Sequence, residues 1–254
     1  MSHKQDWLSV VLIILLVPVT ILIVDAIYPI VKFDQKYAQI ILDALLILIA
    51  VTCNLKFWKL KVTFFNTDHI LKQVLNMIPL LVFMLFFGKF NNLGFPKAGW
   101  SVFLTVLLIG IGEEYVYRGL LMAQLEKILH SKPFLVILIS SVSFGLIHIG
   151  NMFNVTNKWV VVAQMIVAAA SGMLYGVLYN QTHNLSLAIM FHIFDDLPML
   201  FSKSTATAES LFPKQQLVQF LLITLVIFAI CSLIAFLQLK LNNLHFKKHS
   251  EIKI

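Results

Sequence analysis

The chain has 254 residues, 59% of them hydrophobic and only 12% charged, with a formal net charge of +7. A soluble domain carries roughly twice that share of charge, and no core of this size would hide so many Phe, Leu, Ile and Val, so the composition excludes a soluble protein in favour of a polytopic membrane protein. The lysines flank apolar runs and form no basic face interleaved with aromatics, which argues against a nucleic-acid partner and for a lipid bilayer.

A membrane crossing takes roughly 20 apolar residues. Eight segments qualify: 7–29, 38–58, 70–88, 99–129, 134–150, 159–180, 185–201 and 215–240. The first continues through Pro18 to Asp25, too long for the apolar part of a signal peptide and without a small-residue cleavage site, so it reads as a spanning helix. Lys72, Gln73 and Asn76 crowd the start of the third. Turn-forming residues separate the segments at Tyr28-Pro29, Asn91 to Pro96, Ser131 to Pro133, Gln181 to Asn184 and Ser202 to Pro213. Cys53 and Cys231 lie in or beside apolar runs and read as buried thiols. No repeat or soluble module interrupts the pattern, so residues 1–254 read as one all-α membrane domain, a bundle of about eight spanning helices with its site inside. Eight crossings put both termini on one face. Eleven lysines fall to that face and seven to the other, which favours cytoplasmic termini.

The fourth segment, about 45 Å long as a helix, exceeds the membrane, and its amphipathic end, Gln124 to His130, is expected to emerge into the cytoplasm. Within it lies the only arginine of the chain, Arg118, beside Glu113 and Glu114. Ionisable groups in an apolar helix are expensive and mark function. Glu114 and Arg118 are four residues apart in the favoured acid-before-base order and are expected to form a structural ion pair. Glu113 points about 100° away around the helix and is left to face a cavity. Adjacent carboxylates resist joint ionisation; with Arg118 holding one anionic, the other can act as a general base. Two further clusters follow. Phe144 and His148 share a face near the end of the fifth segment, and a helical hairpin turning at Ser131 to Pro133 brings His148 to the height of Glu113. In the seventh segment His192 shares a face with Asp196, and roughly with Asp195; a carboxylate one turn away fixes an imidazole's tautomer and orientation.

Glu-Glu-x-x-x-Arg, Phe-x-x-x-His and His-x-x-x-Asp, in this order inside apolar helices, resemble the CAAX protease and bacteriocin-processing (Abi-type) family of intramembrane endopeptidases. The resemblance covers roughly residues 95–200, a catalytic core to which 1–94 and 201–254 would be accessory. It implies that Glu113 and His148 activate the attacking water, that Glu114 and Arg118 support the site, and that His192 and Asp196 polarise the scissile carbonyl or bind a metal. This chain has Asp196 where prenyl-protein proteases usually have Asn. An ionised Asp cannot donate to an oxyanion, so Asp196 is expected to orient His192 or to be protonated.

The residues also support hydrolysis directly. It needs a base for water, a donor for the oxyanion and an acid for the leaving amine, roles open to Glu113, His148 and His192. No Gly-x-Ser-x-Gly or Cys–His arrangement offers a covalent nucleophile, and His-Glu-x-x-His is absent. Glu113, His148 and His192 would be the ligands if zinc were bound, although a metal-free glutamate mechanism, with no cofactor, is favoured. Asp25 and Asp43 lie in the first two segments without a motif; Asp43 is expected to pair with a lysine or line the chamber. Gly110 and Gly112 are expected to serve close helix packing. The expected substrate is a membrane-associated peptide reaching a cytoplasm-facing site. Lysine-rich, Ile-, Asn- and Phe-rich composition suggests a bacterial cell membrane and a secreted-peptide precursor, such as a bacteriocin or pheromone. The alternatives are a non-enzymatic self-immunity or regulatory protein on the same fold, and a proton-coupled transporter. No inverted repeat or pair of broken helices supports the transporter.

Overall fold

The computed structural model describes residues 3–34, 37–87, 100–153, 155–201 and 217–251. Among them every regular element is a helix: α1 His3–Ile14, α2 Leu16–Val31, α3 Ala38–Trp58, α4 Ile70–Phe86, α5 Trp100–Leu129, α6 Pro133–Phe153, α7 Lys158–Thr182, α8 Leu185–Phe201 and α9 Leu217–Glu251. The protein is thus an all-α polytopic bundle.

Over their described residues the eight apolar segments are mostly helical, but among those residues fewer than eight helices reach crossing length. Five, α3, α5, α6, α7 and α9, are each long and apolar enough to cross a membrane. The first segment is broken into α1 and α2, bent by 47°. The break at Leu15 lies just before Pro18, whose ring crowds the carbonyl of Ile14 and offers it no N–H. Counted as one crossing, the bent pair makes six. The helix α4 has 17 residues and α8 is described over 17, about 26 Å at the usual rise. The connections read at Asn91 to Pro96 and Ser202 to Pro213 lie outside the described residues.

The centre of the bundle is α7, with 67% of its most apolar stretch buried against 17% for α9. Its run Ala168-Ala169-Ala170-Ser171-Gly172 is small, which lets neighbouring backbones approach. Gly145 of α6 meets it there: a Cβ on Gly145 would overlap the carbonyl oxygen of Met165 and come within 3.0 Å of Ala169 Cβ. Gly110 and Gly112 do serve packing, Gly110 against Ile193 of α8 and Gly112 against Leu46 and Ile47 of α3. Leu22, Leu48, Phe86 and Leu225 point outward, as a lipid-facing surface requires. Asp25 is exposed, whereas Asp43 is buried.

Two local features set the depth of the polar residues. From Tyr115 to Leu121 α5 widens into a π-helical segment in which every residue is buried; such insertions change which face later residues occupy. The extended stretch after α3 lies along it. Asn54 pins that stretch, accepting from Leu60 N at 2.8 Å and donating to Leu60 O at 3.1 Å and Tyr115 Oη at 3.2 Å. The carbonyls of Thr63 and Phe64 then accept the amides of Leu185 and Ser186 at 3.1 and 2.9 Å. These are first-turn amides of α8, which have no partner within their own helix, so the stretch anchors α8 lengthwise against α5.

Gly145→Ala is expected to lower stability by about 1–3 kcal/mol through overpacking against backbone. Gly150→Ala, where no atom lies within 4 Å of the added carbon, serves as control. Thermal unfolding in detergent reads both, and equal melting temperatures would contradict the close α6–α7 approach.

Candidate active site

Glu113 and Glu114 end the regular part of α5 and face different surroundings. The Glu114 side chain is 0% exposed and that of Glu113 is 17% exposed. Arg118 is fully buried, and its Nη1 donates to Glu114 Oε1 at 2.8 Å. Nη2 reaches the carbonyl of Gly172 at 3.3 Å. The guanidinium carbon lies 4.4 Å from the ring centroid of Phe144 and 5.3 Å from that of Tyr175, between two aromatic faces that suit a cation. The expected ion pair therefore forms, sealed away from the cavity.

His192 completes the cluster. Its Nδ1 lies 2.9 Å from Glu114 Oε1, the same oxygen that receives Arg118. A carboxylate only accepts, so Nδ1 carries the proton there. Nε2 faces Asp196 Oδ2 at 3.4 Å and Glu113 Oε2 at 3.7 Å. Asp196, expected to orient His192 from its own helix, is thus the more distant carboxylate. The nearer one comes from α5, a contact that only the packing of α5 against α8 creates. The imidazole also lies parallel to Tyr175 (5.7 Å between centroids, 11° between planes) and meets Phe144 edge-on at 5.5 Å.

A cavity of about 700 Å³ opens beside this cluster, and Glu113, His148, His192 and Asp196 all line it. His148 sits where α6 tightens from an α-helix to a 3-10 helix, Ile147–Phe153, with its ring 5.8 Å from that of Phe144. Glu114 and Arg118 stand behind the wall. Six further polar groups, Gln39, Asp43, Asn151, Gln164, Ser171 and Asp195, also line the chamber, as does Tyr175. Asp43 lines it rather than pairing with a lysine, and Gln39 donates to its Oδ2 at 2.9 Å. Asn151 donates to Gln164 at 3.0 Å. Sequence reasoning gave Tyr175, Gln39 and Gln164 no role; a fully buried tyrosine beside a run of alanines was the available signal.

Besides Val17 and Ile21 of α2 and Ile109 and Glu113 in the middle of α5, the lining comes from the N-terminal parts of α3, α7 and α9 and from the later parts of α6 and α8. Were all eight apolar segments to cross a bilayer in alternating directions, these ends would share the face opposite both chain termini.

The zinc reading fits poorly. Among the described residues no group of three or more His, Cys, Asp or Glu side chains converges as a metal site does, so Glu113, His148 and His192 do not form a ready ligand set and no chemical step is derived through a metal.

Glu114→Gln should destabilise the fold by about 3–5 kcal/mol, because it leaves Arg118 buried without its counter-charge. Glu113→Gln keeps that pair and should cost less than about 1 kcal/mol, as changes away from buried networks do. Equal thermal stability of the two variants in detergent would contradict the division of labour within the Glu pair.

No curated protein matches the chain. Residues 95–197 match the family model described as type II CAAX prenyl endopeptidase Rce1-like. The matched stretch contains Glu113, Glu114, Arg118, Phe144, His148, His192 and Asp196, the side chains of the three sequence clusters, whereas Gln39, Asp43 and Phe220 of the chamber wall lie outside it. The stretch that carries all three clusters, residues 95–197, is thus similar to the type II CAAX prenyl endopeptidases.

Proposed function

We propose that this protein is a CAAX-type intramembrane protease and hydrolyses a peptide bond of a membrane-associated substrate with water activated by Glu113 and His148. The observation that carries the reading is the split of the Glu pair: Glu114 is sealed with Arg118 and His192, while Glu113 borders a cavity that His148 also borders. Glu113 removes a proton from water as the water oxygen bonds to the scissile carbonyl carbon, and His148 orients that water. The carbonyl electron pair moves to oxygen, where the Nε2–H of a His192 protonated on both ring nitrogens stabilises the oxyanion. The C–N bond then breaks, and Glu113 returns the proton to the leaving amine. Glu114 holds the opposite face of the imidazole and Arg118 holds Glu114.

Residues 95–200 supply this chemistry. The regions 1–94 and 201–254 act as accessory walls, lending Val17, Asp43 and Phe220 to the chamber. With cytoplasmic termini the chamber serves the outer half of a bacterial cell membrane, which suits a bacteriocin or pheromone precursor on its way out. A self-immunity protein on the same fold would need the cavity but not the base.

Glu113→Gln should lower peptide cleavage by about 10²–10⁴-fold, the usual worth of a general base, while detergent-solubilised protein stays folded. Purified protein, a panel of precursor peptides and mass spectrometry make the measurement; undiminished cleavage would sink the assignment. Cleavage should also persist after exhaustive chelation. Loss of activity restored by zinc alone would overturn the metal-free mechanism.

Orientation is checked separately. A cysteine replacing Ser131, in a background without Cys53 and Cys231, should resist an impermeant thiol reagent in intact cells and react after lysis. Ready labelling in intact cells would invert the topology and turn the chamber toward the cytoplasm.

A further inference from the structure

Tyr175 follows the small run of α7 by three residues, and it is 1% exposed. Its ring touches the site on two sides, lying parallel to the His192 imidazole and under the Arg118 guanidinium. Its hydroxyl donates to Asp195 Oδ2 at 3.0 Å. Asp195 stands three residues after His192 on α8, so this bond ties α7 to α8 at the level of the imidazole.

The hydrogen bond from Nδ1 to Glu114 holds one point of the His192 ring, and the ring can still rotate about that point. A second constraint is needed to aim Nε2 into the chamber, and the parallel face of Tyr175 provides it, with Phe144 edge-on from another side. Tyr175 would itself swing about its side-chain torsions were its hydroxyl not held by Asp195. We propose that Tyr175 and Asp195 form a positioning pair that sets the plane of the His192 imidazole, so that Nδ1 stays on Glu114 while Nε2 points at the reacting carbonyl. The inference rests on the hydrolytic role of His192 proposed above and adds a layer to it: neither residue exchanges a proton with substrate.

Tyr175→Phe removes the hydroxyl and keeps the stacked face, and should lower kcat about 3- to 10-fold at unchanged KM, the range expected for one lost hydrogen bond. Tyr175→Leu removes both and should lower kcat by about 10²-fold, as misplacement of a catalytic group does. The Tyr175→Phe/Asp195→Ala double variant should be no slower than the slower single variant, since both break one bond. Nitrogen NMR of histidine-labelled protein supplies a readout independent of cleavage. The His192 Nδ1–H signal should report weaker bonding to Glu114 in Tyr175→Phe than in the parent and be broadened or lost in Tyr175→Leu. Should the parent cleave no peptide, the hydrolytic reading fails and the NMR comparison alone decides the positioning role. Full additivity in the double variant, or an unchanged His192 signal in folded Tyr175→Leu, overturns the proposal. If Tyr175→Leu does not fold, the double-variant cycle decides it where cleavage is measurable, and otherwise the His192 signals of Tyr175→Phe and Asp195→Ala decide it, weaker bonding of Nδ1 to Glu114 than in the parent supporting the proposal and parent-like signals overturning it.

Discussion

One oxygen of one buried carboxylate organises the centre of this protein. Glu114 Oε1 receives Arg118 at 2.8 Å and His192 at 2.9 Å, joining the π-helical segment of α5 to the middle of α8. A buried guanidinium without a counter-charge is strongly destabilising; Glu114 travels with Arg118 on α5, and the bonds to His192 and to the Gly172 carbonyl tie that pair to α8 and α7. Everything around the pair accommodates it. Gly172 lets its carbonyl reach Nη2, and a Cβ there would stand 3.0 Å from that nitrogen. Phe144 and Tyr175 cover the two faces of the cation.

The same arrangement divides labour between adjacent carboxylates. Successive helical residues point about 100° apart, so when Glu114 turns inward to Arg118, Glu113 must turn elsewhere, and here it turns to the chamber. The chamber is thus a consequence of the ion pair as much as of the gaps between helices. Its polar lining continues beyond the matched family segment. Asp43 with Gln39 on α3 lies outside that segment and Gln164 on α7 with Asn151 lies within it, and together they place hydrogen-bonding groups around a largely apolar cavity. Such a surface suits a peptide whose side chains are apolar and whose backbone still needs partners.

The π-helical segment and the extended stretch after α3 perform the alignment. A regular α5 would carry residues after Tyr117 to other faces, and a freely sliding α8 would move His192 by a full rise per residue. Backbone hydrogen bonds from the first turn of α8 to Thr63 and Phe64 remove that freedom, while Asn54 locks the stretch to Tyr115. The site is accordingly built on element interiors, with its register fixed from the opposite end of the bundle, where loops usually vary most.

The membrane class, the helical architecture and the motif-bearing side chains were legible in the chain itself, because apolar length and ionisable residues within apolar runs are local properties. The partnership of Glu114 with Arg118 was legible for the same reason: a spacing of four residues on one helix fixes the geometry before any packing. Proximity between helices was not. Glu114, rather than Asp196, became the closest partner of His192, Asp43 became a chamber wall, and Tyr175 joined Arg118 to His192 and Asp195. Nor did the chain disclose the break at Leu15 or the widened turn at Tyr115 to Leu121. These depend on side-chain volumes meeting across α5, α6, α7 and α8, and on the anchoring of α8. Local pattern determines which residues enter the membrane interior; only tertiary packing decides which of them meet, because contact energies between distant segments are absent from any one segment's sequence.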